Sequence, residues 1–170
     1  MSRTVYLVRH GLSEANNREN IGIPAFSAHD APLMKLGVEQ AREVGDRLSQ
    51  YVLDKTISVA TSTMYRTQQT ALAAGFTNCT PYNQLDEITP DLTPEQRRLQ
   101  HEEWRQGNLP DEVLWHAETT LEFAPPEQVW FTHGLRIAGI CYLLDQQQDK
   151  TALPQFGEVR EITLPDSYAN

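Results

Sequence analysis

Two histidines and two arginines are the most reactive set in this sequence. Arg9-His10-Gly11 follows one short apolar run, Arg66 follows Thr61-Ser62, and His133-Gly134 follows another apolar run. Imidazole is largely neutral near pH 7, so it can act as a nucleophile or move a proton. A guanidinium is a lasting cation whose planar fork of donors matches the oxygens of a bound oxyanion. Taken singly, each residue has an ordinary structural explanation. An arginine on a loop is commonly a solvated charge, and a histidine at a strand end is often a satisfied structural one. Their weight comes from standing in equivalent places after separate buried runs.

Those runs are the elements that must do the positioning. Thr4 to Val8, Ile57 to Ala60 and Val129 to Thr132 read as short strands buried on both faces. A helix beginning near Lys35 carries Ala41, Val44, Leu48 and Val52 at spacings of three and four. A second runs from Thr63 to Ala74 and stops at Gly75, a natural C-terminal cap. Thr77 to Tyr82 suits a short edge strand, given Pro81. A helix after Phe131 places Ile137, Ile140 or Cys141, and Leu144 on one side, and Glu158 to Leu164 closes the chain as a strand. Strands alternating with helices imply an α/β fold: a mostly parallel sheet with helices on both faces. Ligands of such sheets bind beyond the carboxyl ends of the strands, where His10, Arg66 and His133 fall.

Tyr82 to Glu127 breaks this rhythm. It is 46 residues long and holds five of the ten prolines. Thr93-Pro94-Glu95-Gln96 reads as a helix start with a capping box, and a second helix near Pro110 carries Val113, Leu114, Ala117 and Leu121. We read the segment as a helical lid excursion within a single domain spanning residues 1–170.

The composition excludes several functions. With 14 basic and 23 acidic residues the net charge is −9, which argues against nucleic acid and anionic membrane as partners. The acidity is concentrated: Tyr82 to Glu127 holds 11 acidic residues and three arginines, against 12 acidic and 11 basic residues elsewhere. Cys79 and Cys141 have no Cys-x-x-Cys spacing and read as reduced thiols. No metal site is expected, because His101-Glu102 and His116 lack the His-Glu-x-x-His spacing; these two histidines and His29 read as surface residues. Val5 to Val8 is too short for a signal-peptide core, so a soluble, cytoplasmic protein is the expectation. Oligomeric state is left open.

Four blocks, in order, resemble the histidine phosphatase superfamily with its phosphoglycerate-mutase-like fold. Arg9-His10-Gly11-Leu12-Ser13-Glu14-Ala15-Asn16 is similar to the family's Arg-His-Gly-x-Thr/Ser-x-x-Asn signature. Pro32-Leu33, Gly37 and Gln40-Ala41 look like its Pro-Leu-Thr-x-x-Gly-x-x-Gln-Ala stretch, with Met34 in place of threonine. Ser62, Arg66, Gln69, Thr70 and Ala71 match its Ser-x-x-x-Arg-x-x-Gln-Thr-Ala run, and His133-Gly134 its second histidine.

The resemblance implies a phosphatase acting through a covalent phosphohistidine on His10, with a small phosphorylated substrate and no cofactor. A backbone carbonyl in the turn after Gly11 is expected to hold the His10 tautomer, and Gly11 to let the backbone approach a phosphate. Arg9, Arg66 and His133 would hold phosphoryl oxygens, supported by Ser13, Asn16 and the backbone N–H of Gly134; local capping is the alternative for Ser13 and Asn16. Glu87, in Leu85-Asp86-Glu87, would protonate the leaving group, with its pKa pushed up by burial and phosphate; Asp86 and Glu102 are its rivals. The family's usual Trp-Glu-Gly continuation is missing after Glu87. The short lid favours hydrolysis over mutase activity. Trp104 and Trp115 would either line a pocket for the leaving group or pack the lid helices. Two alternatives stay open, a phosphohistidine phosphoprotein phosphatase and a catalytically silent member that binds a phosphorylated ligand or a protein.

Overall fold

Uninterrupted apolar runs form strands only where both faces find cover, and this chain supplies cover from both sides. The computed structural model describes residues 2–17, 19, 29–146 and 151–168. Five strands, β1 (Arg3–Arg9), β2 (Ser58–Thr61), β3 (Asn78–Pro81), β4 (Val129–Thr132) and β5 (Val159–Leu164), form one sheet in the order β3-β2-β4-β1-β5. The first four are mutually parallel, and β5 runs antiparallel along β1. This is the mostly parallel α/β sheet expected, with an antiparallel edge at its end.

Helices α1 (Lys35–Leu48) and α2 (Tyr65–Ala73) cover one face, where Val44, Leu48, Val52, Ala71 and Phe76 pack on Tyr6, Val8, Val59, Val129 and Phe131. The opposite face carries Val5, Leu7, Ala60, Trp130, Ile162 and Leu164. It is covered by α4 (Asp111–Glu122) through Ala117 and Leu121, and by α5 (Gly134–Leu143) through Ile137, Ile140 and Cys141. Alternation along β1 therefore feeds two cores, one residue to each side in turn.

Helix α3 (Pro94–Arg105) starts with the expected capping box: the Gln96 N–H donates to Thr93 Oγ1, and the Thr93 N–H donates to Gln96 Oε1. The excursion divides in two. Its helix α4 is part of the layer covering the sheet, so only the stretch before it lies outside the two main layers. Trp104, 6% exposed, packs with Ile88, Val113, Leu135 and Leu153, whereas Trp115 is 62% exposed and sits edge-on to His116. Packing, the alternative to a pocket wall, accounts for Trp104. Gly75 ends the stretch after α2 with φ of +96°, where any side chain would be strained. Neither cysteine forms a disulfide, and no helix among the described residues is long and apolar enough to cross a membrane.

Candidate active site

Strand order decides which loop ends meet. β4 lies between β1 and β2, with Arg9 opposite Thr132 and Thr61 opposite Phe131. The next residues in each chain direction are therefore neighbours. The His10 and His133 rings meet edge to face with centroids 5.0 Å apart, and both residues are completely buried. Arg66, in the first turn of α2, brings Nη2 to 3.6 Å from Glu87 Oε2. That same oxygen lies 3.2 Å from His133 Nδ1. Residues from distant stretches of chain thus share one small volume.

The His10 Nδ1–H donates to the Gly11 carbonyl at 2.7 Å, so the carbonyl that holds the tautomer belongs to Gly11 itself. Burial, with the nearby His133, Arg66 and Arg9, lowers the His10 pKa well below its ordinary value. The ring is then neutral, and Nε2 carries a free lone pair with no protein partner. His133 Nε2 is 2.9 Å from Ser62 Oγ, which also pairs with Thr67 Oγ1 at 2.8 Å. Burial lowers the His133 pKa as well, against the pull of Glu87. Arg9 is half-buried, and loss of solvent lowers its pKa to about 10, so it remains a cation at neutral pH.

Buried polar atoms without partners are rare in folded proteins. Here Arg9 Nε, His10 Nε2, and Arg66 Nε and Nη1 all lack a hydrogen-bond partner, and His133 Nδ1 has only its contact with the Glu87 carboxylate. Four cationic or imidazole side chains gathered at one sheet edge, each with at least one polar atom open or held by that one carboxylate, form a cradle for a compact anion. His10, Glu87 and His133 also bring their ligand-type atoms within 4.8 Å of one another. The adjacent Arg9 and Arg66 guanidiniums make a divalent cation a poor match for that volume.

A family model described as histidine phosphatase superfamily (branch 1) matches residues 5–130. The chain belongs to that superfamily. Solved structures give the same fold: TTHB049 of Thermus thermophilus, at 24% identity and TM-score 0.64, covers 94% of this chain and 93% of its own. The Rv3214 open reading frame product of Mycobacterium tuberculosis, at 22% identity and TM-score 0.59, covers 94% and 90%. A protein of Nakamurella multipartitia proposed to be a phosphohistidine phosphatase, SixA, shares 20% identity at TM-score 0.60, covering 99% and 88%. Compared with curated proteins, the sequence has no significant match. The family match ends at Trp130, so it is the fold that sets His133 opposite His10 in this member of the superfamily.

Several residues of the family blocks brace the loop after His10 and the Leu33 segment beside it. The Leu12 N–H donates to Gln40 Oε1, the Leu33 N–H to Gln69 Oε1, and the Gly11 N–H to Thr70 Oγ1. Ser13 forms a bridge with Leu33, and its hydroxyl donates to Asn16 Oδ1 at 2.7 Å. Gly11 is required by packing: a Cβ there would sit 2.3 Å from the Gly37 carbonyl oxygen, and one on Gly37 would sit 2.0 Å from that of Leu12. The glycine pair lets α1 press against the loop, a packing requirement on Gly11 that the sequence did not show. At Gly134 a Cβ would lie 3.0 Å from Arg9 Cζ, so this glycine makes room for the guanidinium.

One electrostatic expectation is reversed. Burial alone would raise the Glu87 pKa, but His133 and Arg66 outweigh it and hold the carboxyl well below the usual carboxylate range. Its rivals are engaged elsewhere. The Asp86 carboxylate accepts from the Thr63 N–H and hydroxyl at 2.7 and 2.8 Å, and Glu102 is 65% exposed beside Arg105. His29 is exposed, as expected, yet its Nε2 lies 2.7 Å from Thr63 Oγ1.

Sequence reasoning missed Phe156. Its ring lies 3.9 Å from the Arg9 guanidinium carbon and 5.8 Å from the His10 ring, while Arg9 Nη1 donates to the Pro154 carbonyl. Arg160 braces this loop by donating to the carbonyls of Ala152 and Thr151 and to Glu158. A single aromatic on an irregular stretch carries no periodic signal that would have marked it.

Proposed function

We propose that the protein is a metal-independent phosphatase that hydrolyses phosphomonoesters through a phosphohistidine on His10. The observation that carries this reading is the unpartnered His10 Nε2, buried beside donors of Arg9, Arg66 and His133. A binding protein would have use for the guanidiniums but none for a neutral imidazole held with its lone pair outward.

In the first step the His10 Nε2 lone pair attacks phosphorus, the N–P bond forms and the ester P–O bond breaks. Charge on the equatorial oxygens is met by Arg9, Arg66 and His133. The leaving alkoxide takes a proton from the Glu87 carboxyl. In the second step water attacks phosphorus, gives its proton to the Glu87 carboxylate, and the N–P bond breaks to free neutral His10 and inorganic phosphate. In the free protein Glu87 is ionised and stands against Arg66 and His133 in the role a substrate anion would take. An incoming phosphate competes for both partners and adds negative charge, and each effect raises the Glu87 pKa toward that of a working acid. The proton therefore arrives with, or after, the substrate. No step needs a metal, since the two guanidiniums supply the positive charge.

A second reading has support in that ionised carboxyl: phosphohistidine substrates, whose imidazole is a good leaving group, need no acid at all. The experiment that tests the main proposal is hydrolysis of an aryl phosphate in the presence of a chelator, with trapping of acid-labile phosphate on the protein. Wild type should turn over and label, and His10→Ala should do neither, a loss of about 10⁴-fold or more. Normal turnover by His10→Ala would sink the mechanism. Wild-type inactivity on a broad phosphate panel, phosphohistidine peptides included, would favour the silent binding member.

A further inference from the structure

Glu87 sits in irregular chain. It follows a single 3-10 turn (Asn83–Leu85), precedes α3 by seven residues, and belongs to no strand or helix. A carboxyl group that must find a leaving oxygen cannot rely on such a segment unless something else fixes it. Something does. Three successive backbone carbonyls leading to Glu87 each accept from a different element: that of Gln84 from Thr120 Oγ1 of α4 at 2.8 Å, and that of Leu85 from Thr132 Oγ1 of β4 at 2.6 Å. The Asp86 carbonyl, the one bonded directly to the Glu87 nitrogen, accepts from Arg136 Nη2 at 2.6 Å and Nε at 3.1 Å.

Arg136 is 4% exposed and three residues past His133 in α5. Its remaining terminal nitrogen, Nη1, donates to the His116 carbonyl at 2.8 Å and to Thr120 Oγ1 at 3.0 Å. Every guanidinium nitrogen is therefore engaged, so this cation is not another member of the open cradle. Burying a guanidinium is costly, and burial has pulled its pKa down to about 10. An apolar residue would cover the same sheet face without that cost, so the charge is retained for what it holds. It ties the Glu87 backbone to the helix that His133 caps, and Thr132 ties the preceding carbonyl to the residue beside His133.

We propose that Arg136 is a positioning residue for Glu87, working with Thr120 and Thr132 as a three-carbonyl clamp that sets the carboxyl against His133 and the leaving group. The clamp rests on the reading of Glu87 as the general acid. The side-chain hydrogen bonds of the clamp go to carbonyls and to one another and to none of Arg9, His10, Arg66 or His133, so it acts on leaving-group protonation and not on phosphate binding.

The test compares a matched alkyl and aryl phosphate, the second with a leaving group that needs no proton. Arg136→Met should lower kcat on the alkyl ester by about 30-fold or more while leaving the aryl ester within about threefold, with KM nearly unchanged for both. Thr132→Val removes one clamp bond without touching the buried charge and should shift the alkyl-to-aryl ratio in the same direction, and Thr132→Ser should restore it. In a Glu87→Gln background, Arg136→Met should add nothing to the alkyl defect. Equal slowing of both esters, or full additivity with Glu87→Gln, would overturn the clamp. If wild type shows no His10-dependent hydrolysis, the phosphatase reading fails by itself. The clamp is then read from His133 ring nitrogen resonances, which Arg136→Met and Glu87→Gln should move alike; no movement in Arg136→Met would overturn it.

Discussion

At the scale of single residues, this site is governed by how burial treats imidazoles and carboxyls differently. His10 is completely buried among cations, so protonation is disfavoured twice, by desolvation and by charge. An imidazole so placed, the nucleophile we propose, stays neutral in mildly acidic solution. The acidic limb of kcat/KM assigned to His10 should therefore fall below its ordinary pKa of about 6.5, and a pH–rate profile on a substrate of constant charge checks it. Glu87 is driven the opposite way from its expected direction, because His133 and Arg66 outweigh burial. Glu87→Gln should slow an alkyl phosphate by about 10²-fold and spare an aryl phosphate with a good leaving group. Equal slowing of the two, measured side by side, would remove the acid role.

At the scale of elements, the loop after β1 is a built object. Its backbone is held by Gln40 of α1 and Thr70 of α2, its neighbour segment at Leu33 is held by Gln69, and its floor is the contact between Gly11 and Gly37. Gly37→Ala should be among the most damaging small changes away from the charged residues. Its Cβ would meet the Leu12 carbonyl oxygen at 2.0 Å, backbone against backbone, with no flexible side chain to give way. We expect a loss of about 3 kcal/mol in thermal unfolding, with activity reduced even in the protein that stays folded. The order β2-β4-β1 in mid-sheet has a similar importance, because it makes neighbours of loop ends that belong to distant parts of the chain.

At the scale of the whole molecule, two consequences follow from charge. His10 and His133 are neutral and buried in the folded state with lowered pKa values, while the unfolded chain binds protons at its histidines near a pH of about 6.5. Below that pH the unfolded state holds more protons, so stability falls as pH drops from about 6.5 and rises with pH through the same window. Unfolding midpoints from about pH 5 to about pH 7.5 should show the slope, and His10→Gln should flatten it. The second consequence is selectivity. Eleven acidic residues from Tyr82 to Glu127 accompany the cradle that we propose for one phosphoryl group, and on that proposal a second phosphate on the substrate meets an unfavourable field. A monophosphate should be turned over faster than its matched bisphosphate, and the reverse order in a paired assay would refute the effect.

Much of this was legible in the chain alone. Buried strands announce themselves as apolar runs, helices as three-and-four spacing, and Thr93 to Gln96 as a capping box, because each is a short-range pattern that local physics reads directly. The identities of His10, Arg66 and His133 as strand-end residues came from the same patterns. Tertiary structure alone decided the rest. It gave the Glu87 carboxyl its ionised state, turned the second half of the expected lid into a wall of the core, and brought Phe156 over Arg9. It also revealed Arg136 as the partner of a carbonyl 50 residues away. The physical reason is common to all four. Periodicity reports which way a side chain faces, but charge state, contact and clamping depend on which distant groups share its volume, and only the folded packing sets that.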